Sequence, residues 1–446
     1  MKKEVNNTRR KRKLNIQKVF NLVSAMFILA CCIFYGTRFI KLYIANNKVE
    51  KITVLADNIK DNNKDNELFK QINEDYYFTG ESENNYVKYS NILWRIIKIN
   101  NEKSVTLVAD SSLTSLNPGT TTTYEKTYIN KWLNKSTEDK TGILETNLNN
   151  PEKYLTYTRT CKDIVTDTKS ISCKDKIEDT LITVPSIYDY VNTGGNKGFM
   201  NNEEYFYLTN MNKENKEMYI DMTGKTNYSD DTDILGIKPV ITLKNTITLK
   251  EGDGTKENPY TFEEEQGLLG SYVKLDNDTW RIYSIEDNIV KLSLNDYLKV
   301  DNTEVKYKYS NNGYYHNDTK QGSLAYYLNN TYLNKLSYKD KIKETKFSNG
   351  LYNKDNYDYT KTLKTEVDTK VSVLSIGNIF LNSKNTNYFL STGITKDSNL
   401  VYVMQDDYKI YTKVSTTNLR IIPVISLNKD LLTKGNGSID SPYEVE

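Results

Sequence analysis

The two cysteines beyond the first 36 residues, Cys161 and Cys173, bracket the short segment CKDIVTDTKSISC. Outside the cytoplasm, a pair at this spacing closes a short loop as a disulfide, which stabilises a fold by about 3 kcal/mol on the loop-entropy estimate. A structural zinc site needs more ligands than two thiolates, and His316 is the sole histidine of the chain. The sequence therefore predicts a Cys161–Cys173 disulfide, and it predicts no metal site and no cofactor.

Residues that could carry catalysis are few. With one histidine in the chain, neither a Ser-His-Asp nor a Cys-His arrangement can be built twice. No phosphate-binding loop of the GxxxxGK[ST] type is present. The 58 Asp and Glu residues contain no recognisable catalytic pair. We therefore expect a protein that is not an enzyme, with a surface hydrolase as the less favoured alternative.

Two tryptophan-arginine pairs, Trp94-Arg95 and Trp280-Arg281, stand in nearly identical segments, ILWRIIKI and DTWRIYSI. An exposed tryptophan ring can stack on the apolar face of a sugar. A tryptophan in mid-strand among isoleucines is more typical of a core residue. Because side chains alternate across a strand, each arginine is expected on the opposite face, either solvated or paired with a carboxylate.

The two Trp-Arg segments belong to a longer repeat. Matching segments follow in the same order in both halves, each displaced by about 185 residues. In the first half they are WRI at 94–96, INKWLN at 129–134, VPSI at 184–187, YLT at 207–209, KPVITL at 238–243 and GDGTKENPY at 252–260. In the second half they are WRI at 280–282, LAYYLN at 324–329, VLSI at 373–376, FLS at 389–391, IPVISL at 422–427 and GNGSIDSPY at 435–443. We infer a tandem duplication, with domains at 76–264 and 265–446.

Within each copy, short segments rich in β-branched residues are separated by Asn- and Asp-rich turns, and a short helical pattern follows the first strands. The loops are too short for helical crossovers, so consecutive strands are expected to be antiparallel. Each copy is thus predicted to be an α+β domain with antiparallel sheets and short helices. Pro239 and Pro423 predict edge or terminal strands, and the glycine-rich GDG and GNG segments predict turns that lead into a final strand.

The N-terminus differs in composition from the rest of the chain. Residues 1–18 carry eight Lys or Arg against one Glu, and residues 19–36 are uncharged and mostly apolar. This pattern predicts a cytoplasmic tail (1–18), a single-pass transmembrane helix (19–36) in contact with membrane lipid, and an extracytoplasmic body. A cleaved signal peptide and a lipoprotein with Cys31 lipidated are the alternatives. Residues 37–75, rich in Asn, Lys and Asp, are typical of a stalk. The mildly acidic remainder argues against nucleic-acid binding.

The order of these segments, from the W-R-[IV] strand through the W-L-N or Y-L-N helix to the [IV]-x-P-V-I-x-L strand, resembles the bacterial domain of unknown function numbered 6273 and its surface-protein relatives. Those proteins often end on a GDGTxxNPY-type tail, which residues 252–260 match and residues 435–443 match more loosely. The resemblance covers both copies and implies a bacterial surface protein; some such domains look similar to C-type-lectin-like folds. The family's Trp-Leu-Arg-Ser-Pro segment is replaced here by YLTN at 207–210 and FLST at 389–392, so no role of that arginine is carried over.

Features that occur in only one copy are the candidates for specific recognition. The first copy alone has the Cys161–Cys173 loop and the glycine pair Gly194-Gly195. The second copy alone has the tyrosine-rich segment GLYNKDNYDYTKT and the loop residues Tyr314, Tyr315 and His316. We expect a membrane-anchored surface protein whose duplicated domains bind a glycan, a wall polymer or a protein, with avidity raised by the linkage of two modules. A structural protein that self-assembles in the envelope is the alternative.

Overall fold

The computed structural model describes residue 35 and residues 53–119, 121–135, 142–165, 171–310, 321–349, 366–381, 387–394 and 399–446. The predicted cytoplasmic tail (1–18), the first part of the predicted stalk (37–52) and, apart from Tyr35, the predicted transmembrane segment (19–36) lie outside the described residues. Within the described ranges, no helix is both long enough and apolar enough to cross a membrane.

The folded body begins at Thr53 rather than at residue 76, so the end of the predicted stalk belongs to the body. Helix α1 (Leu55–Asn63) starts directly after this boundary and buries Leu55 and Ile59. These two side chains lie one turn apart and therefore on the same face of the helix. The polar composition of the segment concealed this helix, because a short helix at a surface needs only a narrow apolar face.

The first half of the body is mostly β-sheet. Its strands are β1 (Phe69–Ile72), β2 (Asp75–Phe78), β3 (Tyr86–Tyr89), β4 (Ile92–Ile99), β5 (Val105–Ala109), β6 (Thr114–Leu116), β7 (Leu155–Thr156), β8 (Thr160–Cys161), β9 (Lys176–Ile177), β10 (Ile182–Thr183), β11 (Phe206–Met211), β12 (Glu217–Ile220), β13 (Thr226–Tyr228), β14 (Leu235–Ile237), β15 (Val240–Leu243), β16 (Leu249–Glu251) and β17 (Thr261–Phe262). One sheet has the order β1-β2-β4-β5-β15-β10, with β3 paired to β4 and β7 to β15. A second sheet has the order β13-β12-β11-β14-β6.

The second half has the same two-sheet arrangement. Its strands are β18 (Tyr272–Leu275), β19 (Asp278–Glu286), β20 (Ile289–Leu294), β21 (Lys299–Val300), β22 (Thr303–Glu304), β23 (Lys306–Lys308), β24 (Thr345–Ser348), β25 (Glu366–Thr369), β26 (Val371–Val373), β27 (Tyr388–Gly393), β28 (Leu400–Met404), β29 (Ile410–Val414), β30 (Asn418–Arg420), β31 (Pro423–Asn428) and β32 (Tyr443–Glu444). The larger sheet has the order β26-β31-β20-β19-β18-β32, and the smaller has the order β23-β30-β27-β28-β29.

The remaining helices are short. They are α2 (Tyr128–Leu133), α3 (Ile143–Asn147), α4 (Pro151–Tyr154), α5 (Ile187–Asn192) and α6 (Leu324–Tyr326), which a π-helical turn (Tyr327–Tyr332) continues, with single 3₁₀ turns at Tyr124–Lys126, Gly195–Lys197, Leu333–Lys335 and Lys429–Leu431. Side-chain oxygens of Thr127, Ser186 and Ser323 cap α2, α5 and α6 by accepting from the backbone N–H three residues on. Each of these helices therefore starts at a hydroxyl residue that satisfies an otherwise unpaired donor.

Antiparallel pairing dominates the described strands. The parallel pairs are β11–β14, β18–β32 and β27–β30, and every other described pair of strands is antiparallel. The predicted α+β class with antiparallel sheets and short helices is confirmed, and within that class the fold is mainly β.

The repeated segments occupy matching positions in the two halves. Trp94 lies on β4 between β3 and β5, and Trp280 lies on β19 between β18 and β20. At the end of each half, the chain returns in parallel to the first strand of the Trp hairpin, through Tyr260 beside β3 and Tyr443 beside β18. A tandem duplication would produce this correspondence.

The glycine-rich segments make the sharp turns that lead into these final tyrosines. Gly252 has φ 104° and Gly435 has φ 94°, a region that residues with a Cβ atom avoid. A Cβ atom on either glycine would lie 2.1 Å from a proline carbonyl oxygen, that of Pro259 or Pro442. Each segment is therefore shaped by close backbone packing, as a turn.

A repeated asparagine joins helix α2 in the first half, and the helical segment that begins with α6 in the second half, to a strand of the larger sheet. Asn134, at the end of α2, donates from Nδ2 to the carbonyl of Ile182 at 2.7 Å and accepts from the N–H of Ile182 at 2.9 Å. Asn329 makes the same pair of bonds with Val371, at 2.8 and 2.9 Å. An amide side chain offers a donor and an acceptor side by side, so it satisfies both backbone groups of one strand residue.

Both repeated prolines stand at the start of interior strands. Pro239 immediately precedes β15, and Pro423 is the first residue of β31. β15 lies between β5 and β10, and β31 lies between β20 and β26, so the predicted edge position is wrong for both. The first position of a strand tolerates proline because the missing N–H is not needed for the ladder there.

The two halves pack directly on each other, and Thr53–Glu446 forms one compact unit. Trp132 Nε1 of the first half donates to the carbonyl of Gly377 in the second half at 2.7 Å. Ser115 Oγ donates to the carbonyl of Tyr408 at 2.7 Å. Side chains of one half thus satisfy buried backbone groups of the other.

Candidate functional site

The repeated tryptophans lie in the core. Trp94 and Trp280 are fully buried, and Trp94 Nε1 donates to the carbonyl of Tyr89 at 3.1 Å. A ring that is enclosed on both faces cannot stack on a sugar. These two residues therefore support the sheets, and a recognition site must lie elsewhere.

Arg95 is buried and holds a loop of its own half. Its Nη1 lies 3.6 Å from Asp110 Oδ1, which is the kind of carboxylate pairing we expected. The guanidinium also donates to Asn85 Oδ1 at 2.6 Å, to Tyr86 OH at 2.8 Å and to the carbonyl of Ser82. A guanidinium group has five N–H donors, so it can satisfy several acceptors that converge on it.

Arg281 makes different contacts, although it occupies the matching position. Its described hydrogen-bond partners are backbone carbonyls: Gly270 at 3.0 Å, Asn91 at 3.1 Å and Leu381. Arg281 is half-buried, and these described partners are carbonyls where Arg95 has a carboxylate. Because Asn91 belongs to the first half, this arginine joins the two halves.

The copy-specific glycines form a turn. Gly194 and Gly195 have φ 113° and 59°, and a Cβ atom on Gly194 would lie 3.0 Å from the backbone nitrogen of Gly80. The described role of the pair is thus close packing against a neighbouring loop. The other copy-specific candidates lie outside the described residues: Tyr314, Tyr315, His316 and the tyrosine-rich segment at 350–362.

The two cysteines close a hairpin in the first half. A disulfide joins Cys161 and Cys173, whose Cα atoms are 5.3 Å apart. Strands β8 and β9 pair at the base of the loop that the disulfide closes, and the N–H of Thr158 donates to the carbonyl of Thr180 at 2.9 Å. The chain from 155 to 183, which we name the disulfide hairpin, is therefore held both by backbone bonds and by a covalent link.

Side chains alternate along the first arm of the disulfide hairpin. Thr158 and Thr160 are buried, whereas Tyr157 is 59% exposed and the Arg159 side chain is 65% exposed. This alternation follows from the period of two in a strand. It presents an aromatic ring and a guanidinium side by side on the same outer face.

Tyr157 stands between two clefts. The first, which we name the Arg159 cleft, has a volume of about 340 Å³, and charged and amide residues dominate its lining: Glu102, Arg159, Glu178, Lys244 and Asn245. The second, the Lys131 cleft, has a volume of about 650 Å³ and a lining of the same kind: Glu125, Asn130, Lys131, Glu145 and Asp179. Tyr157 lines both clefts, so a single exposed ring is flanked by polar groups on both sides.

The charges in these clefts are of both signs and partly paired. Arg159 Nη1 lies 3.9 Å from Glu102 Oε1 at an exposed position, where such a pair contributes little stability. Glu125 and Lys162 are 2.5 Å apart. Burial by itself would raise the pKa of Glu125, but the hydrogen bond and charge of Lys162 outweigh it and lower the pKa. The exposed Arg159 is therefore held less firmly by its carboxylate partner than Lys162 is by Glu125.

A third cleft, of about 410 Å³, lies where the two halves meet. Its lysines already pair with its glutamates: Lys291 lies 2.8 Å from Glu286, and Lys346 lies 3.4 Å from Glu366. Its ring residues, Tyr283 and Phe347, are buried. This cleft therefore presents less open aromatic surface than Tyr157 does, and we take the Tyr157 region as the candidate site.

The Tyr157 region combines an exposed ring with charged and amide groups. Among the residues that the structure describes, no group of three His, Cys, Asp or Glu could hold a metal ion.

The sequence pointed to the cysteine loop as a candidate but not to Tyr157. The pattern that could have identified Tyr157 is the alternation Y-T-R-T directly before Cys161. Comparison with family models, with curated proteins and with solved structures finds no match to this chain.

Proposed function

We propose that the protein is a membrane-anchored protein of the bacterial surface that binds a glycan through Tyr157. The observation that carries this proposal is the exposed Tyr157 ring between two polar clefts. A tyrosine face suits the apolar side of a pyranose. Amide, carboxylate and guanidinium groups at its edges suit the hydroxyls around that ring.

The polar lining supports a sugar ligand over a protein partner. Among the described residues that line the two clefts, Leu181 is the only large apolar side chain besides Tyr157. The fully buried core of a protein–protein interface is depleted of charged residues, whereas both clefts are rich in Lys, Arg, Asp and Glu. A glycan needs hydrogen-bonding groups more than apolar surface.

The location at the cell surface is supported by three features of the chain. A disulfide such as Cys161–Cys173 is typical of oxidising compartments. The basic residues 1–18 before the apolar residues 19–36 favour a cytoplasmic N-terminus and lipid contact through the apolar segment. The segment order that resembles the domain family numbered 6273 also favours a surface protein.

The test is binding of the purified full-length chain, in detergent, to a glycan array and to cell-wall polysaccharide. Tyr157→Ala should weaken binding about tenfold, because aromatic stacking contributes roughly 1–1.5 kcal/mol. Tyr157→Phe should keep most of the affinity. Ile164→Ala is the matched control, since Ile164 is 60% exposed on the same hairpin and lines neither cleft.

Equal binding by wild type and Tyr157→Ala would overturn the assignment to this site. Failure to bind any glycan, together with concentration-dependent assembly in sedimentation, would favour the structural envelope protein instead. Turnover of a polysaccharide would favour the surface hydrolase.

A further inference from the structure

A lysine, an asparagine and a glutamate meet in the interior of the first half. Lys238 is 1% exposed and Glu204 is 5% exposed. Lys238 Nζ donates to Asn202 Oδ1 at 2.7 Å and to the carbonyl of Met200 at 3.1 Å. Glu204 Oε2 lies 3.9 Å from the same Nζ atom. An amine, an amide and a carboxyl group are therefore within contact range in a site that excludes most water.

The side-chain amide of Asn202 is held in one orientation. Its Nδ2 donates to Glu204 Oε1 at 3.0 Å and to the carbonyl of Asp110 at 2.8 Å. Its Oδ1 accepts from Lys238. The amine thus lies beside the amide oxygen, one bond from the amide carbon, and the amide nitrogen faces the carboxyl group.

The hydrogen bonds of Lys238 fit a neutral amine. An –NH₂ group has two donors, and the two close acceptors are Asn202 Oδ1 and the Met200 carbonyl. Burial lowers the pKa of Lys238 and raises that of Glu204, so both shifts favour transfer of a proton from the lysine to the glutamate. Desolvation of this kind activates lysine as a nucleophile.

We propose that Lys238 and Asn202 form an intramolecular isopeptide bond, with Glu204 as the catalytic proton carrier. Lys238 Nζ attacks Asn202 Cγ, so the Nζ–Cγ bond forms and the Cγ–Nδ2 bond breaks. One amine proton passes through the Glu204 carboxyl group to Nδ2, which leaves as ammonia. Glu204 is regenerated and no redox partner is required. Contact of the carboxyl group with the leaving nitrogen at 3.0 Å is the geometry that general acid–base catalysis needs.

The position of the bond in the fold gives it a structural purpose. Asn202 lies in the loop before β11, and Lys238 lies between the end of β14 and Pro239, which precedes β15. Because β11 and β14 pair in the smaller sheet, a covalent link here ties the loop before β11 to the segment that connects the smaller sheet to the larger one. Asn202 is only half-buried, which leaves a route for ammonia to reach solvent.

The second half offers an internal comparison. Counted back from the repeated YLT and FLS segments, Lys384 and Thr386 stand where the first half has Asn202 and Glu204. Before the repeated proline, Ile422 stands where the first half has Lys238. The three reactive side chains are therefore a property of the first copy alone. A single cross-link is expected.

The test is the intact mass of the reduced full-length chain, compared with that of Glu204→Gln. Wild type should be lighter than the sequence requires by one molecule of ammonia, and Glu204→Gln should retain the full mass. Peptide mapping of wild type should yield one branched peptide that joins the Asn202 and Lys238 segments. Circular dichroism of Glu204→Gln checks that the variant is folded.

Three results would overturn the proposal: a wild-type mass that matches the sequence, absence of the branched peptide, or the same loss of ammonia in Lys238→Arg. The last outcome would mean that an asparagine cyclises on its own backbone elsewhere in the chain. If Glu204→Gln fails to fold, the wild-type peptide map decides the question by itself.

Discussion

Glu217, the first residue of β12, is a buried carboxyl group with few partners. It is 3% exposed, its Oε2 accepts from Ser229 Oγ at 3.4 Å, and its Oε1 has no hydrogen-bond partner among the described residues. Burial raises the pKa of Glu217 from 4.5 to about 7, because the carboxylate form loses its hydration. Glu217→Gln keeps the shape of the side chain and removes the charge.

The sign of the effect on stability follows from proton binding. In the unfolded chain the carboxyl group ionises near pH 4.5, whereas in the fold it holds its proton until about pH 7. The folded state therefore binds more protons in this window, and the free energy of unfolding falls as the pH rises through it. At about 1.36 kcal/mol per pKa unit, the loss is on the order of 3 kcal/mol. Below pH 4.5 and above pH 7, this contribution is constant.

Urea unfolding of residues 53–446 at pH 4 and pH 8 measures the effect. We expect the stability of Glu217→Gln relative to wild type to increase by on the order of 3 kcal/mol between these two pH values. Glu214→Gln is the matched control, because Glu214 is exposed in the turn just before β12. A wild-type-to-variant difference that is the same at both pH values would refute the reasoning.

Two further changes test the disulfide and the repeated asparagine. Replacing Cys161 and Cys173 with serine opens a loop that the disulfide closes across a sequence separation of 12. The free energy of unfolding, measured in urea, should fall by about 3 kcal/mol. An unchanged free energy of unfolding would contradict the cross-link. Asn134→Ala leaves both backbone groups of Ile182 without their side-chain partner, at a cost of about 2 kcal/mol. Asn329→Ala should cost a similar amount, and a thermal melt that moves for only one of the two would show that the clamps are not equivalent.

Local sequence chemistry was sufficient to predict the hairpins. The turns before and after β19 place Asp276 at φ 50° and Asp287 at φ 51°, and the turn before β4 places Asn91 at φ 55°. Asn and Asp enter this left-handed region more readily than other residues with a Cβ atom. Because such turns reverse the chain within a few residues, they determine antiparallel pairing without reference to distant parts of the sequence.

Long-range contacts account for what was missed in the fold. The Pro239 and Pro423 strands became interior because β10 and β26 add on their far sides, and those strands come from other parts of the chain. Helix α1 escaped notice because its segment is polar and only one face is covered. Neither fact is visible in a window of neighbouring residues.

The candidate site was hidden for a similar reason. The chain has 36 tyrosines, and many of them are buried in the core. Only the tertiary position leaves the ring of Tyr157 between two clefts. Lys238 and Glu204 were equally inconspicuous, because their contact depends on the pairing of β11 with β14, which are distant in sequence, and not on a motif.

The two repeated arginines occupy matching positions and make different contacts. Arg95 bonds to acceptors within its own half, including Asp110, whereas Arg281 reaches the carbonyl of Asn91 across the boundary between the halves. Removing Arg281 would take one donor from the carbonyl of Asn91 in the first half and from the carbonyls of Gly270 and Leu381 in the second. Arg281 of the second half thus bonds to the first half, whereas Arg95 at the matching position bonds within its own half. The two halves thus belong to one compact unit and are not independent modules on a string.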